Sequence, residues 1–521
     1  MVRTMVEKNR WVRSMIASIL TVGLLLSPLQ TLAVSANEPV GESETGAADQ
    51  SLEITETQLE ALEAIAEVSD DLTGLVGFEG AYELADDASP VSVIVVFNSS
   101  PAEVQLIEAQ VFGDEYGAAT LAEAEANVEA DHESFSEDLG ELLDGPLSRF
   151  GFSSYEIEWE YRRALNGVAV TVPSDQVEEI AGFDSVAFIF PNETVSIPEP
   201  VLVDDVSTLE TSLGEGSTSG DPLGMRDARL QMNAHLLHEL GYRGEGVLVA
   251  VLDTGIDYYH PAFAGAFPTL EDMYERNPDN PYLGDWAGIA GAGLPAAQLG
   301  ANPVPAVMPD YDYFFGRNFI LGNGWAAWND PQETSPGHPA GAPGTNGFNN
   351  TVNPAQTTSH GTHVAGSILG RDTGNPMSIL GVAPEAQMIA YRVLGPGGAG
   401  QAGAVIAGIN MAYYDHPDIV NMSLGGGGAA PFVATSLAVN NIVLQRPNII
   451  FTNSQGNSGP NFSTLSAPAS ASLGIGVSSL AAPGYFGLRA EFPIGDFERT
   501  LGGTTHAVTG ETLLTHVYGN A

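Results

Sequence analysis

"GVLVAVLDTG", residues 246–255, decides how the chain folds. A strand with one wet face alternates apolar and polar side chains. This run stays apolar from Val247 to Leu252, as a strand covered on both faces does. Such strands belong to parallel sheets flanked by helices, and the following segments fit that plan. Helix-like "THVAGSILG" (362–370) leads to strand-like "AQMIAYRVL" (386–394), and helix-like "GAVIAGINMAYY" (403–414) to strand-like "DIVNMSL" (418–424). Helix-like "ATSLAVNNIVLQ" (434–445) then leads to strand-like "NIIFTNS" (448–454). The βαβ series predicts an α/β domain, an open parallel sheet with helices on both faces. Chemistry in such sheets collects at the carboxyl ends of strands, where Asp253 stands. Residues 258–357 interrupt the series with Pro, Gly, Asn, Asp and Trp, a loop-rich insertion.

A different unit precedes this domain. Strand-like "VSVIVVF" (91–97) and helix-like "PAEVQLIEAQ" (101–110) come before a long acidic helix with Val128, Phe135, Leu139 and Leu142 on one face. Strand "LNGVAVTVP" (165–173), helix "SDQVEEIAGF" (174–183) and strand "SVAFIFP" (185–191) complete it. This is the pattern of a small ferredoxin-like α+β domain over residues 91–197. Residues 198–222, rich in Gly, Ser, Pro and acid, read as a linker open to proteolysis. Residues 37–90 read as an acidic leader with one stretch of helical spacing, "LEITETQLEALEAIAEV".

The first 36 residues carry the address. Arg3, Lys8, Arg10 and Arg13 precede the short apolar run "MIASILTVGLLL", and Val34 and Ala36 offer a small-residue cleavage site. This is the pattern of a secretory signal peptide, so the mature chain is expected outside the cell with no membrane anchor. The absence of cysteine removes disulfides, thiol nucleophiles and thiolate metal sites together. Lys8 is the only lysine, so the mature chain sets its acids against arginines alone, within a formal charge of −48. Such a surface repels nucleic acid and anionic membranes. It suits a salty medium that screens self-repulsion. The melting temperature is therefore expected to be higher in molar NaCl than in dilute buffer; an unchanged or lower value removes the salt-adapted reading.

"TTSHGTHVAGSI" places His360 and His363 three residues apart at the start of a helix. A metal site needs a third ligand, with His260 and Asp257 as the nearby candidates, and the chain lacks HExxH and other zinc spacings. The other reading makes His360 a general base whose imidazole is bound by the buried carboxylate of Asp253. His363 is then expected to pack or hydrogen-bond in the core, and Asp257 to serve the loop.

"VAVLDTGID", "SHGTHVAGSI", "GVAPEAQMIAYRVLGPGGAGQ", "NMSLGG" and "SQGNSGP" occur in the order and spacing of the subtilases, the subtilisin-like serine peptidases. The resemblance covers roughly residues 223–480 and implies a subtilisin-like parallel sheet. It implies that Asp253 orients the base, that His360 is general base and acid, and that Asn457 donates into an oxyanion hole. Gly398, Ala399 and Gly400 resemble one edge of a substrate clamp, and Ser423, Leu424, Gly425 and Gly426 the other. The upstream α+β unit resembles the propeptide made with such enzymes, an inhibitor of its own peptidase. Protein or peptide substrates, hydrolysed through an acyl-enzyme, follow from the same resemblance. No cofactor is required; the family often uses calcium, and the sequence places no site for it.

One departure bears on the reaction. Subtilases take their nucleophile from a Gly-Thr-Ser-Met-Ala type segment, and these 521 residues contain none; "GGTTHAV" (502–508) has the wrong context. The expectation is a peptidase domain truncated before its serine, with a non-catalytic peptide- or protein-binding module of the same fold as the rival. Residues 481–521 look β-rich and resemble the start of a protease-associated insert.

Overall fold

A computed structural model describes residues 88–113, 117–143, 154–197, 223–258, 260–283, 316–320, 333, 358–371, 379–395, 397–426, 432–458 and 464–479, and four strands beyond them. The signal peptide and linker readings lie outside the described residues, as does the leader reading up to residue 87; the first described strand begins at its last residue, Pro90.

In the upstream unit, β1 (Pro90–Phe97) is followed by α1 (Ala102–Phe112), α2 (Leu121–Leu143), β2 (Glu156–Tyr161), β3 (Gly167–Pro173), α3 (Val177–Ile180) and β4 (Val186–Pro191). The sheet runs β2-β3-β1-β4 with every pairing antiparallel, the ferredoxin-like order. Helix α2 buries Val128, His132, Phe135 and Leu139, and Phe135 and Leu139 pack with Val93, Val95 and Phe97 of β1. The helix expected over 174–183 is shorter: a 3-10 turn, Ser174–Gln176, runs into the single turn of α3. Strand β2 was absent from the sequence reading, although its alternation of Glu156, Glu158 and Glu160 with Ile157, Trp159 and Tyr161 has strand period.

After the short strand β5 (Thr194–Ser196), the downstream unit begins with α4 (Leu223–Gln231) and α5 (Ala234–Glu239) and then β6 (Leu248–Asp253). Helix α6 (Leu270–Arg276), β7 (Gly316–Asn318), α7 (His360–Leu369) and β8 (Gln387–Arg392) follow. Next come β9 (Ala399–Gln401), α8 (Ala402–Asp415), β10 (Ile419–Met422), β11 (Gly425–Gly426), α9 (Ala434–Gln445), β12 (Ile450–Ser454) and β13 (Ile475–Val477). Six of these strands form one parallel sheet, ordered β13-β12-β10-β6-β8-β7. All six residues of β6 are buried, as the continuous apolar run required. Strand β6 sits where the order reverses, with β8 on one side and β10 on the other, the place where a crevice opens at the carboxyl edge. The sheet and its flanking helices make the α/β architecture expected from residue 246 onward.

The two units share a core. Ile94, Val96, Trp159, Tyr161, Ala169 and Phe190, on the sheet face turned away from α2, join Ala404, Val405, Leu437 and Val439 of α8 and α9 in one buried cluster. Each Val, Ile, Leu or Phe side chain among them contributes about 1.5–3 kcal/mol by leaving water, and each Ala less. This explains why α8 is apolar all round: one side meets its own sheet and the other meets the upstream unit. Polar contacts fix the docking. Asn410 Oδ1 accepts from Arg163 N at 3.1 Å and Ala164 N at 3.0 Å. Tyr161 Oη donates to Gly403 O at 2.9 Å, and Gly403 N donates to Asn192 Oδ1 at 2.8 Å. Glu103 pairs with Arg446 at 2.9 Å.

The third sheet has three short strands. β5 (Thr194–Ser196), the end of the upstream unit, lies between β9 and β11 and runs antiparallel to both. The last strands, β14 (Leu488–Phe492), β15 (Phe497–Leu501), β16 (Thr504–Val508) and β17 (Leu513–Val517), form two ladders, β14 with β17 and β15 with β16.

Candidate active site

Asp253 ends β6 and is fully buried. Its Oδ1 accepts from Thr254 N at 2.7 Å and from His360 Nδ1 at 2.8 Å, and its Oδ2 lies 3.0 Å from the same nitrogen. A carboxylate accepts only, so the Nδ1 proton points at Asp253 and Nε2 is left with its lone pair free to take a proton. His360 is the first residue of α7, and its N–H donates to Thr358 Oγ1 at 3.1 Å. Its side chain is 25% exposed. Burial opposes charge on the ring, but the Asp253 hydrogen bond and the negative charges of Asp253 and Glu333 outweigh it and raise its pKa above 6.5.

The close approach of α7 to β6 depends on Gly361. A Cβ there would stand 2.0 Å from Gly255 O and 3.2 Å from the Asp253 side chain. "HGT" is therefore a packing requirement as much as a chemical one, since any larger residue pushes the imidazole off its partner.

Glu333 has no role that the sequence alone points to. It is 1% exposed and closes over the same junction. Its Oε1 accepts from Gly361 N at 3.1 Å and from Thr254 Oγ1, and its Oε2 from Thr362 N at 2.9 Å and Thr362 Oγ1. Burial pushes its pKa up to about 7, with the charge of Asp253 adding to that effect and its hydrogen bonds opposing it. It sits in "PQETSPG", inside the loop-rich insertion, where one acid among prolines and glycines carries no local signal.

His363 requires a correction. It is exposed, not packed in the core: the buried positions of this helix are Gly361, Ala365, Gly366 and Leu369. His260 Nδ1 accepts from Ala262 N at 3.2 Å and caps the turn Pro261–Phe263, which explains its position without a metal. Among the described residues no three His, Asp or Glu side chains converge as a metal site needs, so none is assigned to calcium.

The two glycine-rich edges face each other across β5. Val195 pairs with Gly400 on one side and Gly426 on the other, and Ser196 with Ala399 and Gly425. Ile197 N donates to Gly398 O at 2.8 Å, continuing the ladder. A Cβ on Gly426 would stand 2.6 Å from Thr194 O, so the inserted strand needs glycine there. Ser423 lies between β10 and β11, and Leu424 is fully buried, so its side chain serves the core and not the cleft. At Gly398 the ladder meets the base: a Cβ there would touch Ile197, with Thr358, the acceptor for His360 N–H, 3.7 Å away. Asn457 is exposed on the loop after β12. Across the sheet Leu252, Met422 and Asn453 are in register, so the residues that follow them, Asp253, Ser423 and Ser454, stand at one level. Asn457 follows three residues later at the same edge.

This combination, a carboxylate–imidazole pair on the switch strand beside an antiparallel strand clamp, defines a class, and comparison with known proteins gives the same one. Residues 244–486 match the model of the subtilase family, and residues 92–198 match the model of peptidase inhibitor I9. Among relatives, the minor extracellular protease Vpr of Bacillus subtilis strain 168 is 28% identical over 328 residues, 63% of this chain and 31% of Vpr. Subtilisin NAT of Bacillus subtilis subsp. natto is 28% identical over 305 residues, 56% of this chain and 58% of that protein. The crystal structure of fervidolysin from Fervidobacterium pennivorans, a keratinolytic enzyme related to subtilisin, aligns over 82% of this chain and 46% of its own at 16% identity, with a TM-score of 0.37. The aligned region thus spans about a third of Vpr and just over half of subtilisin NAT. No described helix is long and apolar enough to cross a membrane.

Proposed function

We propose that the protein is a secreted serine endopeptidase precursor that hydrolyses proteins through an acyl-enzyme. In this reading His360 is general base and then general acid, Asp253 holds its tautomer, and Asn457 donates to the developing oxyanion. The observation that carries it is β5: an extended segment of the I9 domain, seated as an added strand between Ala399–Gln401 and Gly425–Gly426, next to the residues that hold His360. A substrate bound the same way gains its affinity from main-chain hydrogen bonds and its selectivity from side-chain pockets. The seated segment also accounts for inhibition, since propeptide and substrate compete for the same edges. The chemistry as written needs no cofactor, and acidic surface charge excludes nucleic acid and anionic membranes as partners.

The nucleophile is assigned to no residue of this chain, because no Gly-Thr-Ser segment occurs among the 521 residues. We place it in sequence beyond them. The same observation favours a second reading, a non-catalytic subtilase fold that holds peptides without cutting them. Expression of the chain with its natural downstream coding sequence separates the two: casein hydrolysis and fluorophosphonate labelling support the peptidase, and neither from a folded product supports the binder.

The seating of β5 also narrows maturation. Residues 194–197 are held as the acyl half of a cut chain would be, N-terminal to the scissile bond, so the bond broken follows closely after Ile197. N-terminal sequencing of the secreted, active protein is expected to begin within residues 198–224; a mature terminus at residue 37 would reject the propeptide assignment.

A further inference from the structure

The Asp253–His360 pair has a third member. Asp253 alone explains the direction of the imidazole, but it does not explain what keeps the first turn of α7 against the end of β6. Ser359, at the N-cap position of α7, makes no side-chain capping bond. Its place is taken by Glu333, a residue distant in sequence, whose two oxygens receive the N–H groups of Gly361 and Thr362. The same carboxylate receives the hydroxyls of Thr254, on the β6 side, and Thr362, on the α7 side. Thr254 Oγ1 also lies 3.2 Å from Asp253 Oδ1 and accepts from Gly361 N at 3.0 Å, so the two carboxylates share one bridging hydroxyl. An acid at a helix N-terminus is favoured by the N–H groups that no helical carbonyl can satisfy. Two negative groups this close are costly unless a positive charge arrives near both, and an imidazolium at His360, bonded to Asp253 and within the field of Glu333, is that charge.

We propose that Glu333 is a positioning residue of the Asp253–His360 pair: its carboxylate clamps the end of β6 to the first turn of α7 and sets a second negative charge behind the imidazole. The proposal rests on the reading of His360 as the general base. Among the described residues, the ionisable groups at this junction are Asp253 from β6 and His360 from α7, with Asp257, whose backbone N donates to Thr362 Oγ1, on the loop that follows β6. Near neutral pH Glu333 is poised between its two forms, because its pKa is raised to about 7. As pH falls it takes up a proton, the second negative charge is lost, and His360 holds its own proton less tightly.

The test is Glu333→Gln in the full chain, read by the NMR titration of the His360 imidazole, which is assigned by its absence in His360→Gln. The expected result is a His360 midpoint lowered by about half a pH unit or more, with a reduced melting temperature. A folded variant whose His360 midpoint stays within about 0.2 unit of the parent overturns the proposal, because a helix cap without electrostatic coupling lowers stability alone. If Glu333→Gln fails to fold, the parent chain with labelled glutamate carboxyls carries the test. One carboxyl is then expected to titrate near 7 and to move upward in His360→Gln; no such carboxyl, or an unmoved one, overturns it. These readouts involve no turnover. A chain that never hydrolyses a peptide therefore refutes the proposed function and leaves this inference standing, whereas an unresponsive imidazole in a working enzyme does the reverse.

Discussion

On the proposed function, replacing His360 with alanine in a longer form of the protein with a catalytic serine is expected to reduce peptide hydrolysis on the order of 10⁴-fold or more, and to abolish rapid fluorophosphonate labelling. The loss is large because a serine hydroxyl has no other base to take its proton, and members of such a triad act as a unit. On the proposed function the same histidine sets the acid limb of the pH profile. Its pKa in the folded protein is raised above 6.5, and only the neutral ring accepts a proton. The limb of kcat/KM for the free enzyme is thus expected above pH 6.5, with activity rising as pH increases through it. The stability contribution has the opposite sense: it is present below the unfolded value and is lost as pH rises through the folded one. His363→Ala, on the exposed face, is expected to leave both the limb and the melting temperature nearly unchanged. Full activity in His360→Ala, or an acid limb well below 6.5, would remove His360 from the base's role.

Gly361→Val is the second large effect. Even the first carbon of a side chain would stand 2.0 Å from a backbone oxygen of Gly255, so α7 or the loop after β6 must move. Overpacking of this kind costs about 1–3 kcal/mol and more where backbone is the obstacle. A shift of about 1 Å between base and partner costs on the order of 100-fold in rate. Calorimetry should show a melting point several degrees lower, and the His360 proton resonance should lose its Asp253-bound position. Parent-like values in both would mean that the helix start tolerates a side chain and that the close approach is not needed.

Much of the fold was legible because burial on both faces leaves an unambiguous mark. The apolar run at Val247–Leu252 predicted a covered parallel strand, and each helix–strand pair after it was found where its pattern placed it. The base and its carboxylate were legible for a related reason. Asp253 ends a strand and His360 begins a helix, and the carboxyl edge of a parallel sheet brings such ends together. Strand β2 shows a weaker reading of a clear signal: its glutamates alternate with Ile157, Trp159 and Tyr161, but acids outnumber what a core strand is expected to hold. His363 shows where periodicity misled, since a small-residue helix gives little indication of which side faces out.

By itself, then, the sequence determined the α/β and ferredoxin-like units, the likeness of five ordered motifs to the subtilases, and the pairing of Asp253 with His360. These depend on period, order and local chemistry, which a chain carries along its length. The tertiary structure alone decided that Thr194–Ile197 occupies the cleft between the glycine-rich edges, that the upstream sheet shares a core with α8 and α9, and that Glu333 closes over the first turn of α7. Each joins residues far apart in the chain, and their pairing is set by which faces remain to be buried once the strands and helices have formed. An acid in a proline-rich loop becomes a positioning group only when the folded chain surrounds it with N–H groups and hydroxyls that exclude water.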